Sequence, residues 1–185
     1  MRRMAEEKIV LDAEEMRRTL VRIAHEIVER TGGEQVAIVG IHRRGAVLGR
    51  RLHALVAELA EGIVPFGDVD ISFYRDDLSL RASQPLVQAS HIDFAIDEHT
   101  LVLVDDVLYT GRTVRAAIDA LFDFGRPSRV QLAVLADRGH RELPFRPDYV
   151  GKNLPTARSE HVKVRVEEID GIDEVAIAER TEVPA

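Results

Sequence analysis

The stretch from Leu101 to Thr113, reading LVLVDDVLYTGRT, constrains the fold more than any other part of the chain. Four consecutive apolar residues run into Asp105 and Asp106, and a run so short and continuous reads as a strand buried on both faces. Such strands belong to parallel sheets with helices on either side. This one is expected to end on its two carboxylates. Val107 to Thr113 then reads as a turn, after which Val114, Ala117, Ile118, Leu121 and Phe122 recur at helical spacing. Strand, turn and helix in that order bring backbone N–H groups together at the positive end of a helix, where a phosphate monoester is favoured.

A second strand pattern, QVAIVGI from Gln35 to Ile41, runs into His42-Arg43-Arg44-Gly45 and a helix from Ala46 to about Ala60. Parallel sheets take their ligands beyond the carboxyl ends of their strands. Gly40 and Gly45 permit close backbone approach, and Arg43 and Arg44 supply cations suited to a diphosphate. Two arginines at a helix N-terminus oppose its dipole, which itself points to an anion.

Around these two strand ends the chain alternates strand and helix. Asp12 and Glu15 form a capping box for a helix reaching about Arg30, with Met16, Leu20, Ile23, Ala24 and Ile27 on its apolar face. Its other face carries Arg18, Arg22 and His25. Asp68 to Tyr74 alternates like a strand, and the polar passage from Tyr74 to about Gln88, opening on YRDDL, reads as a cover over a site. Ile92 to Ile96 is expected to be the returning strand. Arg129 to Ala136 reads as another buried strand, followed by DRGHRELP, and the strand-rich remainder, mainly 140–185, suits a small cap. The expected architecture is a single α/β domain over 1–185: a central, mostly parallel sheet flanked by helices, with a small C-terminal hood.

Composition narrows the class. With 45% hydrophobic and 31% charged residues the chain is expected to be an ordinary globular protein. It has no cysteine, which removes thiolate nucleophiles and thiolate metal sites. The start, MRRMAEEKIVLD, lacks the apolar segment of a secretory signal, so a cytoplasmic location is expected. A formal charge of -7 argues against a protein that is basic all over, while leaving room for one local basic face. His140 has no second ligand at helical or hairpin spacing, and no metal site held by the protein itself is expected.

Two carboxylates beside an anion site make sense together if the ligand carries both a phosphate and a vicinal diol, as phosphoribosyl diphosphate does. The string LVLVDDVLYTGRT resembles the diphosphate-sugar binding motif of type I phosphoribosyltransferases. Together with RRTLVRIAHEI, YRDDL, DRGHRELP and GKN it resembles one branch of them, the bifunctional pyr operon attenuation proteins and uracil phosphoribosyltransferases. The resemblance implies a type I phosphoribosyltransferase fold and the conversion of uracil and phosphoribosyl diphosphate to uridine monophosphate (UMP) and diphosphate, with Mg2+ carried in by the substrate. Arg44, Arg75, Asp105 and Asp106 would then be catalytic. Substrate would be held by Arg43, Arg44, Asp105, Asp106 and the run Val107, Leu108, Tyr109, Thr110, Gly111, Arg112, Thr113, with base contacts at Arg138 and Val162.

In the purine-salvage branch the residue before the Thr-Gly pair is commonly an aspartate. Here it is Tyr109, and a tyrosine hydroxyl, ordinarily titrating near about 10, is a poor general base at neutral pH. A pyrimidine substrate therefore fits better. The resemblance also implies binding of pyr leader mRNA, favoured by uridine nucleotides, through Arg18, Arg22, His25, His140, Arg141, Arg146 and Lys152 on a homodimer or larger homo-oligomer. Val21 stands where close relatives would carry a hydroxyl. Two rivals follow: a salvage phosphoribosyltransferase with no RNA role, and an RNA regulator keeping the site only as a nucleotide sensor. Arg44 and YRDDL argue against the sensor, which needs neither a diphosphate loop nor a cover.

Overall fold

A computed structural model describes residues 7–74 and 89–179. Five strands, β2 (Val36–Ile41), β3 (Phe66–Val69), β4 (Thr100–Leu108), β5 (Arg129–Asp137) and β6 (Tyr149–Asn153), form a parallel sheet in the order β3-β2-β4-β5-β6. Alternate residues of each strand face opposite ways, so the sheet needs cover on both sides. On one face Ile38, Val102, Val104 and Leu135 meet Met16, Leu20, Ile23 and Ile27 of α1 (Ala13–Thr31) and Leu48 and Leu52 of α2 (Arg44–Leu59). On the other, Val39, Ile41, Leu101, Leu103 and Val134 meet Val114, Ala117 and Leu121 of α3 (Arg112–Phe122).

A second sheet is antiparallel and has three strands in the order β1-β8-β7: β1 (Glu7–Leu11), β8 (Glu174–Glu179) and β7 (Glu160–Arg165). The short α4 (Glu167–Asp170) joins β7 to β8. This sheet is the hood, and its composition differs from expectation at both ends. Glu7–Leu11 enters it as an edge strand, although five residues with little alternation gave no strand signal. Tyr149–Asn153, read with the tail, instead pairs with β5 in the main sheet, anchored by the fully buried Tyr149, whose hydroxyl donates to Gln131 at 2.9 Å.

Two other expectations change. Strand β3 stops at Val69 because the Asp70 carboxylate accepts from the backbone N–H and hydroxyl of Ser72, turning the chain. Ile92 to Ile96 forms no strand; only His91 pairs, in an isolated antiparallel bridge to Asp68, while Ile92 and Phe94 pack on the core as irregular chain. The expected cover, including Arg75, lies outside the described residues except for Tyr74, whose hydroxyl donates to Asp123 just beyond α3. Among the described residues, no helix is long and apolar enough to cross a membrane.

Candidate active site

From β2 the chain crosses through α2 to β3 on one side, and from β4 it crosses through α3 to β5 on the other. The connections diverge between β2 and β4, and that divergence opens a crevice beyond the strand ends, the usual ligand position in open α/β sheets. His42 to Gly45 and Asp105 to Thr113 flank it.

The β2 side is built by close packing. A Cβ on Gly40 would lie 2.5 Å from the Ala46 Cα, and one on Gly45 would lie 2.6 Å from the Val104 carbonyl and 3.3 Å from the Asp105 Oδ1. The glycines thus serve helix-on-strand contact, setting the start of α2 against β4. The His42–Arg43 peptide is cis. Arg43 is exposed, and the first turn of α2 carries no acidic side chain. Arg44 reaches the hood, with Nη2 2.7 Å and Nε 3.1 Å from the two carboxylate oxygens of Asp170. That pairing, with a smaller contribution from Asp106, raises its pKa.

Strand β4 does not end at its acids as expected. It continues to Leu108, with Asp105 opposite Val134, Val107 opposite Ala136 and Leu108 opposite Asp137, because β5 is equally long and supplies ladder partners throughout. Asp105 is buried and Asp106 half-buried. Each accepts a backbone N–H from the next residue, Asp106 N at 2.9 Å and Val107 N at 2.8 Å. Burial first, then the neighbouring Asp106 charge, pushes the Asp105 carboxyl well above the usual carboxylate range.

The loop from Tyr109 to Thr113 ends in Gly111, which caps α3 with φ +93° and would bring a Cβ to 2.9 Å from the Phe145 ring. No acidic residue lies in the first turn of α3, its N-cap Gly111 offers no side chain, and the Thr110 hydroxyl accepts from the Arg112 N–H at 3.3 Å. Its outer wall is DRGHRELP. The Thr110 carbonyl accepts from the N–H groups of Glu142 and Leu143, and Arg112 Nε donates to Glu142 at 2.8 Å. Arg141 ties the wall together, donating to Tyr109 O (2.8 Å), Phe145 O (2.9 Å) and Asp137 Oδ2 (2.6 Å). Among the residues expected on an RNA face, Arg141 is therefore committed to shaping this loop. His140 is likewise engaged, its Nε2 donating to Thr156 O at 2.6 Å.

Beside the loop, the Arg138 guanidinium lies 4.1 Å from the Tyr109 ring centre and Nη2 donates to Glu160 O at 2.8 Å. Arg138 is 5% exposed, and its Nε is buried without a hydrogen-bond partner among the described residues. Val162 is half-buried on β7, where it packs at the edge of the main cluster. On the far side, Arg18, Arg22 and His25 line the outer face of α1. Arg22 donates to Glu26 and to the carbonyls of Val150 and Gly151, so α1 and the Lys152 region of β6 are neighbours; Lys152 itself donates to Val10 O. Arg146 is exposed on the loop before β6.

The phosphoribosyl transferase domain family matches residues 7–169. The bifunctional protein PyrR of Roseiflexus sp. (strain RS-1) is 58% identical over 177 residues, covering 95% of this chain and 97% of that protein. The chain is a PyrR-family phosphoribosyltransferase. The PyrR protein of Thermus thermophilus is also 58% identical, over 92% of this chain and 95% of the relative. In fold, the PyrR-family chain is similar to the hypoxanthine phosphoribosyltransferase of Trypanosoma cruzi solved with its product IMP. Their TM-score is 0.73 at 19% identity, over 100% of this chain and 99% of that one. In this PyrR-family chain the β2–β4 divergence brings the Asp105–Asp106 pair and the start of α3 to the same end of the sheet.

Proposed function

We propose that this phosphoribosyltransferase joins uracil to phosphoribosyl diphosphate, yielding UMP and diphosphate, and that it regulates pyr genes by uridine-nucleotide-dependent binding of leader mRNA. The observation that carries the catalytic half is the juxtaposition of Asp105 and Asp106 with the glycine-capped, acid-free start of α3 at a crevice bordered by Arg44. A phosphate and a diol are the two groups those neighbours can bind together.

In this reading, backbone N–H groups and hydroxyls from Thr110 to Thr113 hold the 5'-phosphate, and Asp105 and Asp106 hold the ribose hydroxyls. Arg43 and Arg44, with Arg75 from outside the described residues, stabilise the diphosphate as its oxygen leaves the anomeric carbon. Uracil N1 bonds to that carbon and its proton passes to the departing diphosphate or to solvent, through a loose transition state governed by positioning and charge. The all-oxygen donor set of the two aspartates suits a hard cation, and substrate-borne Mg2+ would neutralise charge on the diphosphate and ribose oxygens. Arg138 Nε, buried and lacking a protein acceptor among the described residues, is free to donate to a base carbonyl, and Val162 contributes its backbone beside it.

The regulatory half rests on the arginines of α1 and their adjacency to Lys152. RNA read through unpaired loops needs a local basic face of this kind more than a high overall charge. The protein would act in the cytoplasm as a homodimer or larger assembly. Titration against pyr leader RNA at fixed salt, with and without UMP, tests this half, alongside Arg22→Gln and Asp106→Asn. Nucleotide-enhanced binding lost in Arg22→Gln is expected, while binding no tighter than to random RNA would leave a salvage enzyme. For the catalytic half, faster turnover with hypoxanthine than with uracil would overturn the base assignment.

A further inference from the structure

At the border of the crevice, behind the Arg43–Arg44 turn, three residues far apart in sequence converge at the carboxyl end of β3. His42 Nε2 lies 2.7 Å and His91 Nδ1 lies 3.0 Å from the same Oδ1 of Asp68, and the three ligand atoms all fall within 4.8 Å of one another. We propose that His42, Asp68 and His91 form a site for a divalent transition metal of the zinc class, with three protein ligands and a position open to solvent. The substrate assignment above plays no part in it.

The donor chemistry selects the ion. Two imidazoles and one carboxylate suit Zn2+, Co2+ or Ni2+, whereas Mg2+ prefers oxygen ligands and retained water. The spacing fits as well. Bonds of about 2.0–2.1 Å in a tetrahedral set put donor atoms roughly 3.3 Å apart, so the contacts to Oδ1, now 2.7 and 3.0 Å, would open by roughly 0.6 and 0.3 Å while the two imidazole nitrogens, within 4.8 Å of each other, turn toward the ion.

All three ligands are pinned through their backbones. His42 N–H donates to Val69 O at 3.0 Å, and Asp68 and His91 exchange N–H to carbonyl bonds of 2.9 Å in both directions. Gly67 makes that bridge possible, since a Cβ there would lie 2.8 Å from the His91 carbonyl. The Asp68 side chain is 8% exposed, that of His42 17% and that of His91 63%, so an ion would enter from the His91 side. Arg50 approaches the other carboxylate oxygen, Oδ2, at 3.7 Å and stacks over Phe66, leaving Oδ1 for the metal. A bound ion would clasp the start of the Arg43–Arg44 loop to the chain beyond residue 88.

The test uses tag-free, metal-stripped protein titrated with Zn2+ against a chromogenic chelator, with Mg2+ as a separate arm. The expected result is one Zn2+ per chain and a raised melting temperature. His91→Gln should lose affinity by at least about tenfold, since loss of even an outer-shell partner typically costs about 10–100-fold. His99→Gln, just before β4 at the other end of the sheet, should bind like the wild type. Co2+ added to the wild type should broaden the imidazole resonances of His42 and His91 before those of other histidines, a readout independent of any variant's folding. Zinc binding unchanged in His91→Gln, Co2+ broadening elsewhere first, or equal affinity for Mg2+ would overturn the proposal and leave a hydrogen-bonded histidine–aspartate node.

Discussion

Asp105 is held where its charge is least welcome. A carboxyl whose folded-state pKa lies above its unfolded value binds its proton more tightly when folded, so its contribution to stability falls as pH rises from the ordinary carboxylate range through the raised value. Asp105→Asn keeps an oxygen for the Asp106 N–H and removes the titration. It should stabilise the fold at pH 7 while lowering kcat/KM. Thermal melts at pH 5 and pH 8 check this, with the gain larger at pH 8. Gly111 gives the opposite case. Alanine there meets a left-handed φ and the Phe145 ring at 2.9 Å, so Gly111→Ala should cost about 1–2 kcal/mol and raise the KM for phosphoribosyl diphosphate. Chemical denaturation and initial rates measure the two effects separately.

The elements meet through ion pairs that sequence alone does not reveal. Arg51 on α2 makes paired bonds to Glu168 (2.5 and 2.9 Å) and Asp173 (2.8 Å to each oxygen), clamping the hood segment around α4 to the main sheet. Arg51→Ala should destabilise by about 1–3 kcal/mol, given charge-assisted bonds of that order. In a chain of this size that lowers the melting temperature by roughly 2–4 °C per kcal/mol, readable by calorimetry. Legibility followed periodicity. Helix α1 with its capping box, the buried strands β2, β4 and β5, and α3 were plain because apolar spacing and caps are local signals. Strand β1 was missed because its burial depends on a partner at the other end of the chain, and the end of β4 because pairing with β5 outweighs two acids. At the site, the acids and the Gly111 loop were legible from their motif. The wall formed by Arg141 and the His42, Asp68 and His91 cluster were not, since each depends on contacts between distant segments.

On the scale of the molecule, an acidic total coexists with arginines gathered on α1 beside β6. RNA binding through that face should weaken with salt, and removing one phosphate contact lowers the magnitude of the log–log salt slope by about 0.7–1. For Arg22→Gln the slope should fall by that amount. An unchanged slope would place Arg22 outside the contact, consistent with its bonds to Val150 and Gly151 serving the fold alone. The hood has a further consequence, in the timing of synthesis. Strand β1 is the first of the described strands to be made, yet its partner β8 is the last. The parallel sheet, complete once β6 has been made, can assemble on the ribosome while β1 waits unpaired. Arg44 and Arg51 gain their carboxylate partners, Asp170, Glu168 and Asp173, only after that sheet has been made. A nascent chain arrested before Glu174 should therefore hold a formed crevice but an open roof, and its protease-sensitive point should be the waiting β1.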